Sequence, residues 1–557
     1  MAVFGVDLGT TYSCISYVDS SGRPVVLRNL EGSDTTPSAV YFESANEVVV
    51  GAAAKDTAVV EPDLVVELIK REMGRHLTLK MHGRSHTPEE ISAFLLRKLA
   101  ADAEAATGES VTDLVVTVPA YFGIAERDAT RKAGQIANLN VIDVLSEPIA
   151  AAISYGVLAD DADRTILVYD LGGGTFDTTV ISMRDGDIQV VCTDGDHELG
   201  GVDWDERLAE YVVEAFVEQH PDTGHPLDDP TTVQDIRAQV EEAKKRLSTA
   251  KQRVLRVVHE GRVATVTLTR EQFEEMTSDL LDRTVDITRR ALDVARKRGA
   301  AALDEVVLVG GSSKMPAVVR RLRQELGQDP KLHDPDLAVA KGAALYAFEE
   351  TYRRLLKAGG DGMEQAEQMA RWAGLSATEE EAIAKRQIRT VASRSFGVLC
   401  FATETESEHV VHLIHGNDSL PVAATRTFYT VYDDQGEIDV QVMEQAGSVE
   451  SEAAADNTLI AAGPIAVPPG KPAGWPIDVT FQLDSSGLLH VTAMEHHDPS
   501  GADDQTGAAQ GDTSKRKSGP AEAPTRKDRL DLEIQVGGMS EDEVARSRSA
   551  LSQVRVN

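Results

Sequence analysis

Residues 166–181 read ILVYDLGGGTFDTTVI: an apolar run, Asp-Leu-Gly, a small polar loop, then a second run rich in β-branched residues. That order describes a β-hairpin with a glycine-rich polar tip. Residues 3–18, VFGVDLGTTYSCISYV, carry the same pattern about 160 positions earlier. One unit written twice implies a duplicated domain whose two glycine loops face each other across a cleft. A single such loop would carry little weight, because plain tight turns use the same residues. Two in register point to backbone N–H groups offered to phosphate oxygens, since a Cβ there would collide with the ligand or forbid the backbone angles. The copies also put Asp7 and Asp170 at equivalent strand ends, where two carboxylates suit the water shell of a magnesium ion. The plainer role for each is to close its own turn with a backbone hydrogen bond.

Outward from the hairpins, helical periodicity at 88–106, 124–137 and 234–247 alternates with apolar strands at 114–118 and 306–309, which predicts a mixed α/β domain. From about residue 347 to 390 the chain is charged and alanine-rich, as helices plus a linker would be. Between 396 and 494, short β-branched and aromatic runs are separated by Asp-Asp-Gln-Gly, Pro-Pro-Gly and Asp-Ser-Ser-Gly, the pattern of an antiparallel β-sandwich. Residues 496–529 have almost no apolar side chains and are expected to form a disordered loop. Residues 530–536 read as a last strand, and Ser540 with Glu543 as a capping box opening a short helix.

At 557 residues the chain exceeds one hydrophobic core. Its 42 % hydrophobic and 26 % charged content is ordinary for a soluble protein. The net charge of −35 argues against nucleic acid as a partner, because phosphate backbones need clustered Lys and Arg. Met-Ala-Val-Phe-Gly-Val-Asp opens the sequence with no basic region and no long apolar run, so neither a secretory signal nor a membrane anchor is expected, and the expected location is cytoplasmic. Cys14, Cys192 and Cys400 lie far apart without metal-type spacing and read as spare thiols.

Phosphoryl transfer to water needs a cation beside the γ-phosphate and a group that orients the water. Lys70, in LIKREMGR, is a candidate that spacing alone does not separate from a surface lysine. Beyond this point the strings VDLGTTYSCI, LIKREMGR, TVPAYF, SEPIAAAISYG, YDLGGGTFD, ELGGVDWDERL, LVGGSSKMP and DPDLAVAKGAA together resemble the seventy-kilodalton heat-shock chaperones (DnaK-like), in that family's order. The resemblance covers residues 1–348, and 393–495 is more loosely similar to the family's substrate-binding domain. It implies an α/β actin-like (duplicated RNase H-like) ATPase domain followed by an antiparallel β-sandwich. The expected division is 1–348 for nucleotide, 349–392 as helical insert or linker, 393–495 plus 530–536 for peptide, 496–529 as loop, and 540–557 as a truncated lid.

The same resemblance implies ATP/ADP and Mg2+ as cofactors. Gly9, Thr10, Thr11 and Tyr12 would contact phosphates from one loop and Gly172, Gly173, Gly174 and Thr175 from the other. Lys70 would be the catalytic cation, with Asp7, Glu147, Asp170 and Asp177 arranging magnesium and water; Asp7 and Asp170 would hold the metal through water. Gly200, Gly201, Glu241, Lys244, Lys245, Ser248, Gly310, Gly311, Ser312, Lys314 and Asp336 would complete the nucleotide pocket. Pro119 and Arg127 match the family's switch and relay between domains. In RTFYTVYDDQGEIDVQV, which resembles the strand pair gripping an extended peptide, Phe428, Val431, Ile438 and Val440 would form pocket walls with Phe401. Implied partners are unfolded or extended polypeptide segments, a J-domain co-chaperone and a nucleotide exchange factor, with no nucleic acid or membrane.

Three departures qualify this pattern. Lys245 and Lys314 stand where the family sandwiches adenine between arginines, and an ammonium cannot stack as a guanidinium does, so weaker nucleotide binding is expected. No leucine-rich, acid-flanked linker precedes Ser395. The sequence stops about fifteen residues into its last helix, too short for a full lid, which predicts faster peptide release. Other readings stay open: an uncoupled ATPase and peptide binder dedicated to one partner, a polymerising cytoskeletal ATPase, or a small-molecule kinase on the same core.

Overall fold

The computed structural model describes residues 3–156, 163–300, 302–402, 407–447, 449–484, 487–496, 529–533 and 539–557. The expected disordered loop, 496–529, lies outside the described residues except at its two ends. The chain forms two units, Met1–Ser393 with Gly537–Asn557, and Arg394–Val536.

The first unit is mixed α/β, and its two main sheets share one connectivity. In the first sheet, Phe4–Asp7 and Tyr12–Val18 form the hairpin and Pro24–Val26 extends it antiparallel. Asp113–Val118 and then Asn140–Ser146 add in parallel on the other side. In the second sheet, Arg164–Leu171, Phe176–Arg184 and Asp187–Asp196 run antiparallel, and Glu305–Val309 then Lys331–Leu332 add in parallel. The sixteen-residue repeat thus marks a duplication of five strands. Residues 114–118 are all buried, as in a strand covered on both faces.

The helix Pro88–Thr107 starts at a Thr87–Glu90 capping box and stops at Gly108, whose φ is 72°. Two helices rich in small residues, Glu147–Gly156 and Ala338–Ala358, come close: a Cβ on Gly342 would lie 1.7 Å from the Ala150 carbonyl oxygen. Gly5 is equally tight, 2.1 Å from the Ala344 nitrogen. Larger side chains at either position would push the helices and sheet apart.

The expected insert at 349–392 is no separate linker. The helix Ala338–Ala358 runs through its start, the helices Asp361–Trp372 and Ala377–Lys385 follow, and Ala366, Met369, Ala370, Ile383 and Val391 join a core of the first unit. Ile388–Arg389 then pairs in parallel with Ile188 and Gln189 at the edge of the second sheet. Apolar side chains at helical spacing bury against the nearest open face, and these meet that of the first unit.

The second unit has two four-stranded antiparallel sheets. One runs Ser407–Ile414, Phe396–Ala402, Glu437–Gln445, Asn457–Ala466, and the other Val422–Tyr429, Pro476–Leu483, Leu489–Glu495, Arg529–Glu533. The two strands read in 426–442, Val422–Tyr429 and Glu437–Gln445, are consecutive and lie in different sheets. Their connection holds Asp434 at φ 56°, and the side-chain oxygen Oε1 of Gln435 accepts from the Val431 amide at 2.9 Å.

The last helix, Glu541–Leu551, begins at the expected Ser540–Glu543 capping box, and the segment read as a truncated lid belongs to the first unit. Val544, Leu551 and Val554 are buried in a core of the first unit, and Arg555–Val556 pairs in parallel with Glu47 and Val48.

Candidate functional site

Asp7 ends its strand, and Asp170 stands one residue before the end of the matching one. Beyond them the two hairpin tips interlock. A Cβ on Gly173 would lie 2.1 Å from the Thr11 hydroxyl, and one on Gly174 would lie 2.4 Å from the Thr10 methyl. The glycines are therefore needed first to let the loops meet. Gly172 closes its own turn by donating to the Thr175 carbonyl at 3.0 Å, and Gly9 donates to the Ser13 hydroxyl at 3.1 Å.

A cleft of about 1110 Å³ opens at these tips. Asp7, Gly9, Thr10, Thr11, Tyr12, Lys70, Glu147, Asp170, Gly172, Gly173 and Thr175 line it. So do Glu241, Lys244, Lys245, Ser248, Gly310, Gly311, Ser312, Lys314 and Asp336. Gly174, Gly200, Gly201 and Asp177 do not. Gly200 packs on Gly174, and Gly201 donates to the Gly172 carbonyl at 3.0 Å, so this pair backs the second loop from behind.

Lys70 sits in the buried turn Ile69–Glu72, and its ammonium donates to Glu147 at 2.5 Å. Asp7, Glu147 and Asp170 are thus three cleft carboxylates around one ammonium. Burial, then the Glu147 charge, pushes Asp7 up to about 7, against the pull of Lys70 and the Thr117 hydroxyl. Burial followed by Glu147, Asp177 and Asp7 raises Asp170 well above the carboxylate range.

Asp177 does not line the cleft, although its charge acts on Asp170 there. One oxygen accepts the Ala120 amide at 3.0 Å, beside Pro119, and burial raises its pKa strongly. Arg127 holds the other side of that turn, donating to the carbonyls of Ala120 at 3.4 Å and Phe122 at 3.0 Å. The Ser393 hydroxyl donates to the same Phe122 carbonyl at 3.3 Å, at the point where the chain leaves the first unit.

At the far end of the cleft, Lys55 donates to Glu241 at 2.5 Å and to the Tyr12 hydroxyl at 3.3 Å. Lys245 donates to the same Tyr12 hydroxyl at 2.9 Å and to Glu241 at 2.6 Å. Burial alone would raise Glu241, but Lys55 and Lys245 outweigh it and bring it down to about 2. Lys314 is ion-paired with Asp336. Lys245 and Lys314, expected to flank adenine, are therefore both tied to carboxylates, and neither offers a planar face. Lys244 is buried, donating to the Gly201 carbonyl at 2.6 Å and to Asp205 at 2.5 Å, while the Ser248 hydroxyl turns back to the Lys244 carbonyl at 3.5 Å.

Sequence reasoning missed Arg71 and Lys55. Arg71 donates twice to the Gly174 carbonyl, at 3.0 and 2.8 Å, and once to Asp203 at 2.8 Å, clamping the second loop from the first half of the unit. Adjacency to Lys70 was its only signal. Lys55, in the short helix Ala52–Thr57, had none.

In the second unit, Val440 is buried, Phe428, Val431 and Ile438 are half-buried, and Phe401 is 48 % exposed. Ile438 pairs with Ile465 and Phe428 with Ile477, which puts them on separate sheets.

A family model described as Hsp70 protein matches residues 3–348 and 372–527. The chain belongs to the Hsp70 family. Hsp70 proteins are ATP-dependent chaperones that bind ATP or ADP with Mg2+ and engage unfolded polypeptides, J-domain partners and exchange factors. Their architecture joins an actin-like ATPase domain to a β-sandwich. In this Hsp70 chain the match resumes at residue 372, leaving the end of helix Ala338–Ala358 and most of Asp361–Trp372 unmatched.

Proposed function

We propose that this chain hydrolyses ATP in the cleft of its first unit and so tunes the grip of its second unit on exposed apolar peptide segments. The carrying observation is the buried Lys70–Glu147 ion pair, which lines the same cleft as the two interlocked glycine tips. The shared five-strand connectivity supports an actin-like, duplicated RNase H-like reading of this unit.

The residues present fit a magnesium nucleotide. Three carboxylates share one ammonium, and their burial and mutual repulsion leave a charge that a divalent cation would offset. Among the described residues no cluster of three carboxylate, imidazole or thiol groups converges as direct ligands, so Asp7 and Asp170 would hold a hydrated ion through water. When bound, that ion supplies charge neutralisation on the phosphate oxygens.

The backbone of Gly9 to Thr11 and of Gly172 and Gly173 positions the phosphates, with Thr175 closing the second loop. Lys70 places positive charge where the transferred group becomes most negative, and Glu147 orients the attacking water. Asp177 accepts the Ala120 amide through one oxygen and ties the turn at Ala120 to the site. The route Asp177, Ala120, Arg127, Phe122, Ser393 carries nucleotide state toward the second unit, with Pro119 at its turn. There Phe401, Phe428, Val431, Ile438 and Val440 form the peptide pocket.

Lys70→Ala tests the reading. Phosphate release should fall by about 10²-fold or more, while a fluorescent ATP analogue still binds. Unchanged turnover would remove Lys70 from the mechanism.

A further inference from the structure

The last nineteen residues join the first unit by three independent kinds of contact. Val544 and Leu551 are 3 % and 2 % exposed in its core, with Val554 beside them at 6 %. Polar bonds flank them: the Ser547 hydroxyl donates to Glu90 at 2.5 Å, and Arg97 donates to the Leu551 carbonyl at 2.7 Å. Beyond the helix, backbone pairing takes over. The Arg555 amide donates to the Asn46 carbonyl at 2.9 Å, the Asn557 amide to Val48 at 3.0 Å, and the Val50 amide to Asn557 at 2.9 Å. This is strand addition to the free edge of Glu47–Val50.

That edge strand leads straight to the cleft. Val50 is followed by Gly51, whose φ of 98° turns the chain into the helix Ala52–Thr57. Lys55 on this helix reaches Glu241 and Tyr12 at the cleft wall. Only four residues separate the Val50 amide held by Asn557 from Lys55, the lysine that bridges the cleft. Glu241 and Tyr12 both line the cleft, so moving Lys55 moves the door of the pocket.

We infer that the segment 539–557 is a latch on the nucleotide cleft: docked, it fixes the strand Glu47–Val50 and holds Lys55 across the opening, and undocked, it frees Lys55 and speeds nucleotide exchange. The edge of Glu47–Val50 is the receptor for this chain's own residues 555–557. The inference rests on the cleft being the nucleotide site, and it sets a regulator of that site within the chain itself.

The test uses the full chain, Mg2+ and a fluorescent ADP, with release rate as the readout. Val544→Asp with Leu551→Asp undocks the segment and should speed release about fivefold or more, the lower range of coupling between sites. The pair Glu47→Cys and Arg555→Cys, at register-matched positions, should close a disulfide that slows release until a reductant restores it. The cysteine pair keeps the test open if the aspartate variant fails to fold. In a Lys55→Ala background, release should already be fast and undocking should add nothing.

Identical release from wild type, the aspartate variant and the oxidised cysteine pair overturns the latch alone. So does equal acceleration with and without Lys55. Failure of the wild type to bind the probe overturns the nucleotide reading, and the latch with it.

Discussion

A methyl group at Gly173 would lie 2.1 Å from the Thr11 hydroxyl, so Gly173→Ala should separate the two tips and cost about 1–3 kcal/mol of stability. A thermal melt with and without ATP reads this, and partial recovery in a Thr11→Gly background would locate the clash. The sequence pointed to this loop through its repeat, but attributed the glycines to the ligand alone. Loop-to-loop packing depends on a distance that no spacing encodes. Glu241 gives a pH test. Its carboxyl falls from an ordinary value of 4.5 to about 2 in the folded chain, so the folded state favours the charged form. The resulting stability is fully present above about pH 4.5 and is lost as pH falls toward about 2. The melting difference between wild type and Glu241→Gln should therefore be largest near neutrality and shrink in acid. A difference independent of pH would mean the lysine pairs contribute nothing to folding. Lys55 was invisible in the sequence because its partners lie 43 and 186 positions away.

Among elements, the hairpins and helices of the first unit were readable because periodicity is local: 88–106 became Pro88–Thr107 and 114–118 became Asp113–Val118. Strand pairing in the second unit was less so. Val422–Tyr429 and Glu437–Gln445 look like a hairpin in sequence, yet the connection holding Asp434 in the left-handed region sends them to opposite sheets. Ile438 is half-buried on the second of these strands and pairs with the buried Ile465. Ile438→Phe should fill the proposed peptide pocket and weaken binding of a fluorescent apolar peptide about tenfold, or about 1.4 kcal/mol, with basal phosphate release unchanged. An unaltered affinity in a variant of normal melting temperature would move the pocket elsewhere. Ile388–Arg389 also escaped sequence reading, because two residues carry no periodicity and their pairing with Ile188 and Gln189 is set 200 positions away.

Over the whole molecule, the chain leaves the first unit after Ser393 and returns to it at Gly537. The Ser540–Glu543 capping box announced a helix but did not say which body it covers; Val544, Leu551 and Val554 are buried in a core of the first unit. Leu551→Asp should destabilise the first unit by about 2–5 kcal/mol, as for emptied core sites, and leave the melting transition of the second unit in place. Differential scanning calorimetry separates the two, and a shift confined to the second unit would contradict the packing. The division of labour also has a temporal side. The edge of Glu47–Val50 emerges from the ribosome 505 residues before its partner at Arg555, and at ordinary elongation rates that interval is roughly 25–100 s. Throughout it the nascent chain carries an uncapped β-edge, the kind of surface on which other unfinished chains can add a strand. A protein that belongs to a chaperone family thus passes through much of its own synthesis exposing the sort of edge from which misassembly begins, until Arg555 and Val556 emerge to pair with it.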